Sequence, residues 1–140
     1  MMPPFDENGN LPPGVYLATL VEIGAHFAIT PHRKRLFSRL RAVAENLKAA
    51  NCQTLYLNGS FITNKEEPGD FDACWEPLGV NQNLDPILLT DRTARKGKYL
   101  GDIYPRIPEL TEGLDHLKAW QLDRDDNIKG IIIIDLRKTL

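Results

Sequence analysis

Two hydrophobic periods alternate along the chain. Between Thr30 and Ala50, Leu36, Leu40, Val43, Ala44 and Leu47 recur at the spacing of one buried helical face. Thr30-Pro31 supplies the start signal: a hydroxyl to cap the first turn, then a proline whose missing N–H costs nothing there. The other face carries Arg33, Lys34, Arg35, Arg39, Arg41 and Lys48, read as a solvated surface, with docking of a phosphate or an acidic partner as the alternative. Upstream, Thr19-Leu20-Val21-Glu22 has capping-box form and predicts a short helix to Phe27. Residues 1–14, rich in Pro, Gly and Asn and closing on Leu11-Pro12-Pro13-Gly14, read as a leader loop laid over a domain spanning 15–140.

The second half is dominated by short β-prone runs. Thr54–Leu57 stops at the turn signal Asn58-Gly59-Ser60, and Phe71–Trp75 follows a polar loop containing Pro68-Gly69. Asp85-Pro86 predicts a helix through Leu88 and Leu89 toward the basic residues Arg92, Arg95, Lys96 and Lys98. Tyr99–Tyr104 predicts a strand closed by Pro105. Glu112–Gln121 fits a helix, although Leu117–Leu122 fits a strand equally well. Asp125-Asp126-Asn127 turns the chain, and Gly130–Leu136 is the clearest strand. Helices and strands interleave without a repeat, which defines an α/β (α+β) domain, a mixed sheet flanked by helices.

Length and composition narrow the function classes. The 140 residues suit one domain, and seventeen basic against nineteen acidic side chains give a net charge of −2. No overall field therefore draws the protein onto nucleic acid or an anionic membrane. No apolar stretch is long enough to span a bilayer, and the N-terminus lacks signal-peptide character, so the expected location is the cytoplasm. Cys52 and Cys74 make neither a disulfide framework nor a four-ligand zinc site, and read as buried apolar residues. His26, His32 and His116 lack metal-ligand spacing. Trp75 and Trp120 read as core or interface residues.

The chemistry concentrates in residues 57–72. Gly59-Ser60 at a strand end offers unhindered backbone N–H groups and a hydroxyl, a setting that holds phosphate. Asp70 and Asp72 flank Phe71, so on a strand both carboxylates share a face with Cα atoms about 7 Å apart. That spacing suits a shared Mg2+, which takes one or two carboxylates along with substrate phosphates. Nine residues separate Ser60 from Asp70, enough for a bent loop to bring phosphate and metal sites together. Such a pair serves in-line phosphoryl or nucleotidyl transfer.

This order of strand, Gly-Ser, spacer and Asp-apolar-Asp resembles the signature of the polymerase-β-like nucleotidyltransferase superfamily. Asn58–Lys65, Leu11–Gly14, Lys98-Tyr99 with Asp102, and Asp123-Arg124 with Lys129-Gly130-Ile131 are together similar to small prokaryotic nucleotidyltransferase-like proteins, some of them in toxin–antitoxin pairs. The resemblance implies a Mg2+-dependent transfer of a nucleotide, AMP foremost, from an NTP to a hydroxyl. Carried over by position, Gly59 and Ser60 would hold the triphosphate, and Asp70 and Asp72 the Mg2+. The resemblance also implies a third carboxylate from a later strand, which would join them at the metal and activate the acceptor. Asp102 is the first choice; Asp91, in helical surroundings, and Asp135, in the last strand, are the competitors. Lys65 and Lys98 are the cations best placed to help neutralise the triphosphate.

At 140 residues no appended RNA-binding domain is expected, and a protein or small-molecule acceptor is the expectation over RNA. A partner protein encoded nearby is also implied. The alternative reading is a catalytically idle nucleotidyltransferase fold acting as an antitoxin-type binding module.

Overall fold

The computed structural model describes residues 2–106, 129–138 and 140. A short strand β1 (Val15–Leu17) leads into α1 (Leu20–Phe27). The predicted capping box is present: the Thr19 hydroxyl accepts from Glu22 N, and Glu22 Oε1 accepts from Thr19 N, both at 3.2 Å. Helix α2 (Pro31–Ala49) starts where Thr30-Pro31 requires, with Thr30 Oγ1 accepting from Arg33 N at 3.1 Å. Its buried stripe is Leu36, Leu40, Val43, Ala44 and Leu47, the periodic set, preceded on the same face by Arg33.

Four more strands follow: β2 (Thr54–Asn58), β3 (Phe71–Trp75), β4 (Gly101–Pro105) and β5 (Ile131–Asp135). They join β1 in one mixed sheet of order β1-β5-β2-β3-β4. Strand β2 is antiparallel to both β5 and β3, whereas β1–β5 and β3–β4 run parallel. With three helices among the described residues, the chain is an α+β domain. Alternation along the strands sends Leu55, Leu57, Phe71, Ala73, Trp75, Ile103, Ile132 and Ile134 to one face, where they meet the stripes of α1 and α2 in a single core. Cys52 and Cys74 are free and buried, as read from the sequence.

The leader is tied down rather than loose. Leu11 is buried, its carbonyl accepts from Gly130 N at 2.9 Å, and the Gly9 carbonyl accepts from Asn64 N at 2.9 Å.

Residues 85–105 differ from the sequence reading. The helix expected from Asp85-Pro86 is a single 3-10 turn, Pro86–Leu89, after which Thr90 is extended. A separate helix, α3 (Arg92–Tyr99), begins at Asp91, whose side chain accepts from Ala94 N at 2.9 Å. Tyr99 belongs to this helix and not to the following strand. Leu100 closes it in the left-handed region (φ 59°), and the strand starts at Gly101. Parallel pairing sets Gly101 opposite Phe71, and a Cβ there would lie 2.4 Å from the Phe71 ring. A glycine at 101 therefore lets β4 close onto β3, which brings Asp102 into register.

Glu112–Gln121, Leu117–Leu122, His116, Trp120, Asp123-Arg124 and Asp125-Asp126-Asn127 lie outside the described residues. No helix among the described residues is long and apolar enough to cross a membrane.

Candidate functional site

At one end of the sheet, on the face away from α1 and α2, the register puts three polar residues side by side. Asn58 pairs with Asp72 across β2–β3, and Asp72 pairs with Asp102 across β3–β4. Asp70 lies one residue before β3 and reaches the same spot. One carboxylate oxygen from each of Asp70, Asp72 and Asp102 lies within 4.8 Å of the other two. These are the acidic residues singled out from the sequence, Asp102 included. Asp135 sits elsewhere: it is paired with Thr54, four residues along β2 from Asn58, or about 13 Å at strand rise. Its carboxylate is engaged by Arg137 at 3.0 Å. Asp91 is spent on capping α3.

Gly59 follows β2 with φ +92°, a conformation that side chains resist. A Cβ at this position would lie 2.9 Å from Asp72 N and 3.1 Å from Asp72 Oδ2. The Gly59-Ser60 turn thus rests directly against the central carboxylate. Gly59→Ala is expected to displace both turn and carboxylate, lowering stability by about 1–3 kcal/mol. An unchanged midpoint in urea melts would contradict this close approach.

After the turn, Ser60–Ile62 form a 3-10 turn whose Phe61 and Ile62 are buried. The following loop is held by Arg33, which is 4% exposed. Its guanidinium donates to the carbonyls of Phe27 (3.3 Å), Phe61 (2.7 Å), Thr63 (2.7 Å) and Lys65 (2.5 Å). Farther along, His32 Nε2 donates to Pro68 O at 2.5 Å. The solvated-face reading of α2 therefore fails for Arg33. Arg33 stands three residues before Leu36 and seven before Leu40, on the buried stripe itself, and the loop beside it carries carbonyls that need donors.

Two cations from α3 face the carboxylates. Arg92 makes a bidentate pair with Asp102 (Nε–Oδ1 2.5 Å, Nη2–Oδ2 2.7 Å), and Lys96 Nζ is 2.9 Å from Asp70 Oδ2. The Arg92 guanidinium holds the Asp102 carboxyl below the usual range. Asp72 moves the other way. Burial, followed by the charges of Asp70 and Asp102, pushes its pKa up to about 6.

Of the expected triphosphate cations, Lys98 pairs with Asp85 and lies over the Tyr99 ring, at 5.2 Å. Lys65 is exposed, on the loop that Arg33 holds. The sequence grouped Arg92 and Lys96 only as part of a basic segment. The signal that would have singled them out is Asp91 as an N-cap: once the helix starts there, Arg92 and Lys96 stand four apart on one side.

The donor set is all carboxylate oxygen, as a hard divalent cation such as Mg2+ requires. The three oxygens, within 4.8 Å of one another, are near enough for one ion to draw them together. Fold and site together define an α+β domain with three carboxylates converging beside a Gly-Ser turn. Residues 3–135 match the DUF6932 family, described as a family of unknown function, and the chain belongs to it. No curated protein and no solved structure matches the chain.

Proposed function

We propose that this protein is a Mg2+-dependent nucleotidyltransferase that moves a nucleotide, AMP foremost, from an NTP to a hydroxyl on a protein or small molecule. The observation that carries the reading is the convergence of Asp70, Asp72 and Asp102 against the Gly59-Ser60 turn. Asp70, Asp72 and Asp102 would hold Mg2+, which supplies charge neutralisation at the phosphates. The Gly59-Ser60 backbone, free of a side chain at its closest approach, would seat the triphosphate against Asp72. The acceptor oxygen would form a bond to the α-phosphorus as the bond to the β-phosphate oxygen breaks, releasing pyrophosphate. Asp102 would take the acceptor's proton on a carboxylate oxygen.

A basic group used mainly in the transition state predicts a split effect. Asp102→Asn should reduce turnover by at least about 100-fold while changing NTP affinity only several-fold. Pyrophosphate release measured beside nucleotide titration checks it; equal losses in both would remove Asp102 from that role. The second reading, an idle antitoxin-type module, draws on the Arg92–Asp102 and Lys96–Asp70 pairs, which satisfy two of the carboxylates internally. It predicts tight binding to a neighbour-encoded protein without pyrophosphate release. The cytoplasm is the compartment in which either reading places the protein.

A further inference from the structure

Helix α3 is unusual in what it buries. Among its eight residues only Tyr99 is buried, and no aliphatic stripe anchors it. Its contact with the site is made by charge: Arg92 to Asp102 and Lys96 to Asp70. Standing four apart, the two cations project from one side of the helix. Both keep a wet side, with side-chain exposures of 61% and 44%. That wet side belongs to an open helix face formed by Arg92, Thr93, Lys96 and Gly97. Arg92 meets the carboxylates at Asp102 of β4, whereas Gly59-Ser60 abuts them from the end of β2. The oxygens of Asp70 and Asp102 that define the cluster lie within 4.8 Å of one of Asp72, and a Cβ at Gly59 would be 3.1 Å from Asp72 Oδ2, so one carboxylate cluster separates the turn from the two cations.

We propose that Arg92 and Lys96 are exchangeable counter-ions: they hold the carboxylates of the metal-free protein and become the polyphosphate ligands once a divalent cation takes those carboxylates. The inference rests on the nucleotidyl-transfer reading above and deepens it by naming the phosphate-binding cations. The chemistry favours the exchange. A divalent ion and two side-chain cations compete for the same oxygens, and the displaced guanidinium and ammonium need a new anion. Arg offers a planar fork matched to phosphate, and Lys a compact point charge. Gly97 adds no side chain to this face, and nothing lies within 4 Å of its would-be Cβ. Metal and nucleotide binding then become reciprocally coupled, because each removes a competitor or supplies a partner for the other. Lys98, turned to Asp85, is left out of this pair.

The coupling gives the two cations effects of opposite sign on two ligands. Arg92→Gln and Lys96→Gln should each bind Mn2+ alone several-fold more tightly than wild type, since no ion pair has to break first. Each should bind a non-hydrolysable NTP analogue, at saturating Mn2+, about tenfold or more weakly. Arg92→Lys should recover part of the lost analogue affinity. Thermal unfolding of each variant, followed in parallel, reports whether α3 keeps its place. Titrations of Mn2+ by electron paramagnetic resonance and of analogue by calorimetry read both ligands. Unchanged analogue affinity in both Gln variants, or weaker Mn2+ binding in a folded variant, overturns the exchange while leaving the nucleotidyl-transfer reading standing. A wild-type protein that binds neither Mn2+ nor analogue overturns that reading, and the exchange falls with it.

Discussion

Asp72→Asn is expected to abolish metal-dependent nucleotide binding and, in the same protein, to raise stability at pH 8. Asp72 sits between Asp70 and Asp102 in register with both flanking strands, so its loss removes the central donor. The predicted fall in Mg2+-NTP affinity is at least about 100-fold, or about 3 kcal/mol. The stability gain has the opposite origin. In the metal-free protein, burial and two neighbouring carboxylates push the Asp72 pKa up to about 6, so its charged form is disfavoured on folding.

The sign of the pH dependence follows. Between about pH 4 and pH 6 the folded state holds a proton on Asp72 that the unfolded chain has released. Stability from this group is therefore full near pH 4 and declines as pH rises through 6, by about 3 kcal/mol at most. Asp102, held low by Arg92, works in the other direction. Its contribution is present above its ordinary carboxylate range and is lost only as pH falls below it, so the two windows separate. Asn at 72 should flatten the pH 4–7 slope and stabilise the domain at pH 8 by about 1–3 kcal/mol. Urea melts of both proteins at pH 5 and pH 8, without metal, measure this. Parallel slopes in the two proteins would show that Asp72 carries no strained charge.

Arg33→Met carries the largest expected loss of stability. The guanidinium is buried and donates to four carbonyls, three of them in the loop that runs from Ser60 toward Asp70. Met keeps much of the volume but leaves those acceptors without their donor. The expected cost is about 3–5 kcal/mol. Faster hydrogen exchange should appear at the amides of Thr63–Lys65 before it appears in β2 or β3. A denaturation midpoint within 0.5 kcal/mol of wild type, converted at constant slope, would mean that the loop supports itself.

The legible parts of this fold were those written in local chemistry. Thr19 with Glu22, and Thr30 with Pro31, set the starts of α1 and α2 because capping is decided within four residues. The strand, Gly-Ser turn and Asp-apolar-Asp of residues 54–75 could be read because period-two alternation fixes which side chains share a face. Asp102 could be chosen among later carboxylates because its surroundings are β-prone. Residues 85–105 were misread where distant contacts decide. Tyr99 joins α3 as its hydroxyl donates to Asp85 Oδ2 at 2.5 Å, and the strand starts at Gly101 because that residue must pass under Phe71. Arg33 reads as solvated by its charge, although its spacing to Leu36 and Leu40 puts it on the buried face; what the sequence hides is its carbonyl partners, 28 to 32 residues away apart from Phe27. Lys98 was preferred to Lys96 because sequence shows a cation next to the strand. The helix that turns one cation to Asp70 and the other to Asp85 is visible only in the fold.

The central claim is that the carboxylates beside Gly59-Ser60 form a metal-dependent nucleotide site. Thermal unfolding of the wild-type protein with each of ATP, GTP, CTP and UTP, with and without Mg2+, tests it most directly. A ligand that binds only the folded state raises the midpoint by mass action, about 2.7 kcal/mol at one hundred times its dissociation constant. The account predicts a rise of several degrees with at least one NTP, present with Mg2+ and absent without it, and lost in Asp72→Asn. An unchanged midpoint with all four nucleotides at millimolar concentration, or a rise of equal size without metal, would contradict it.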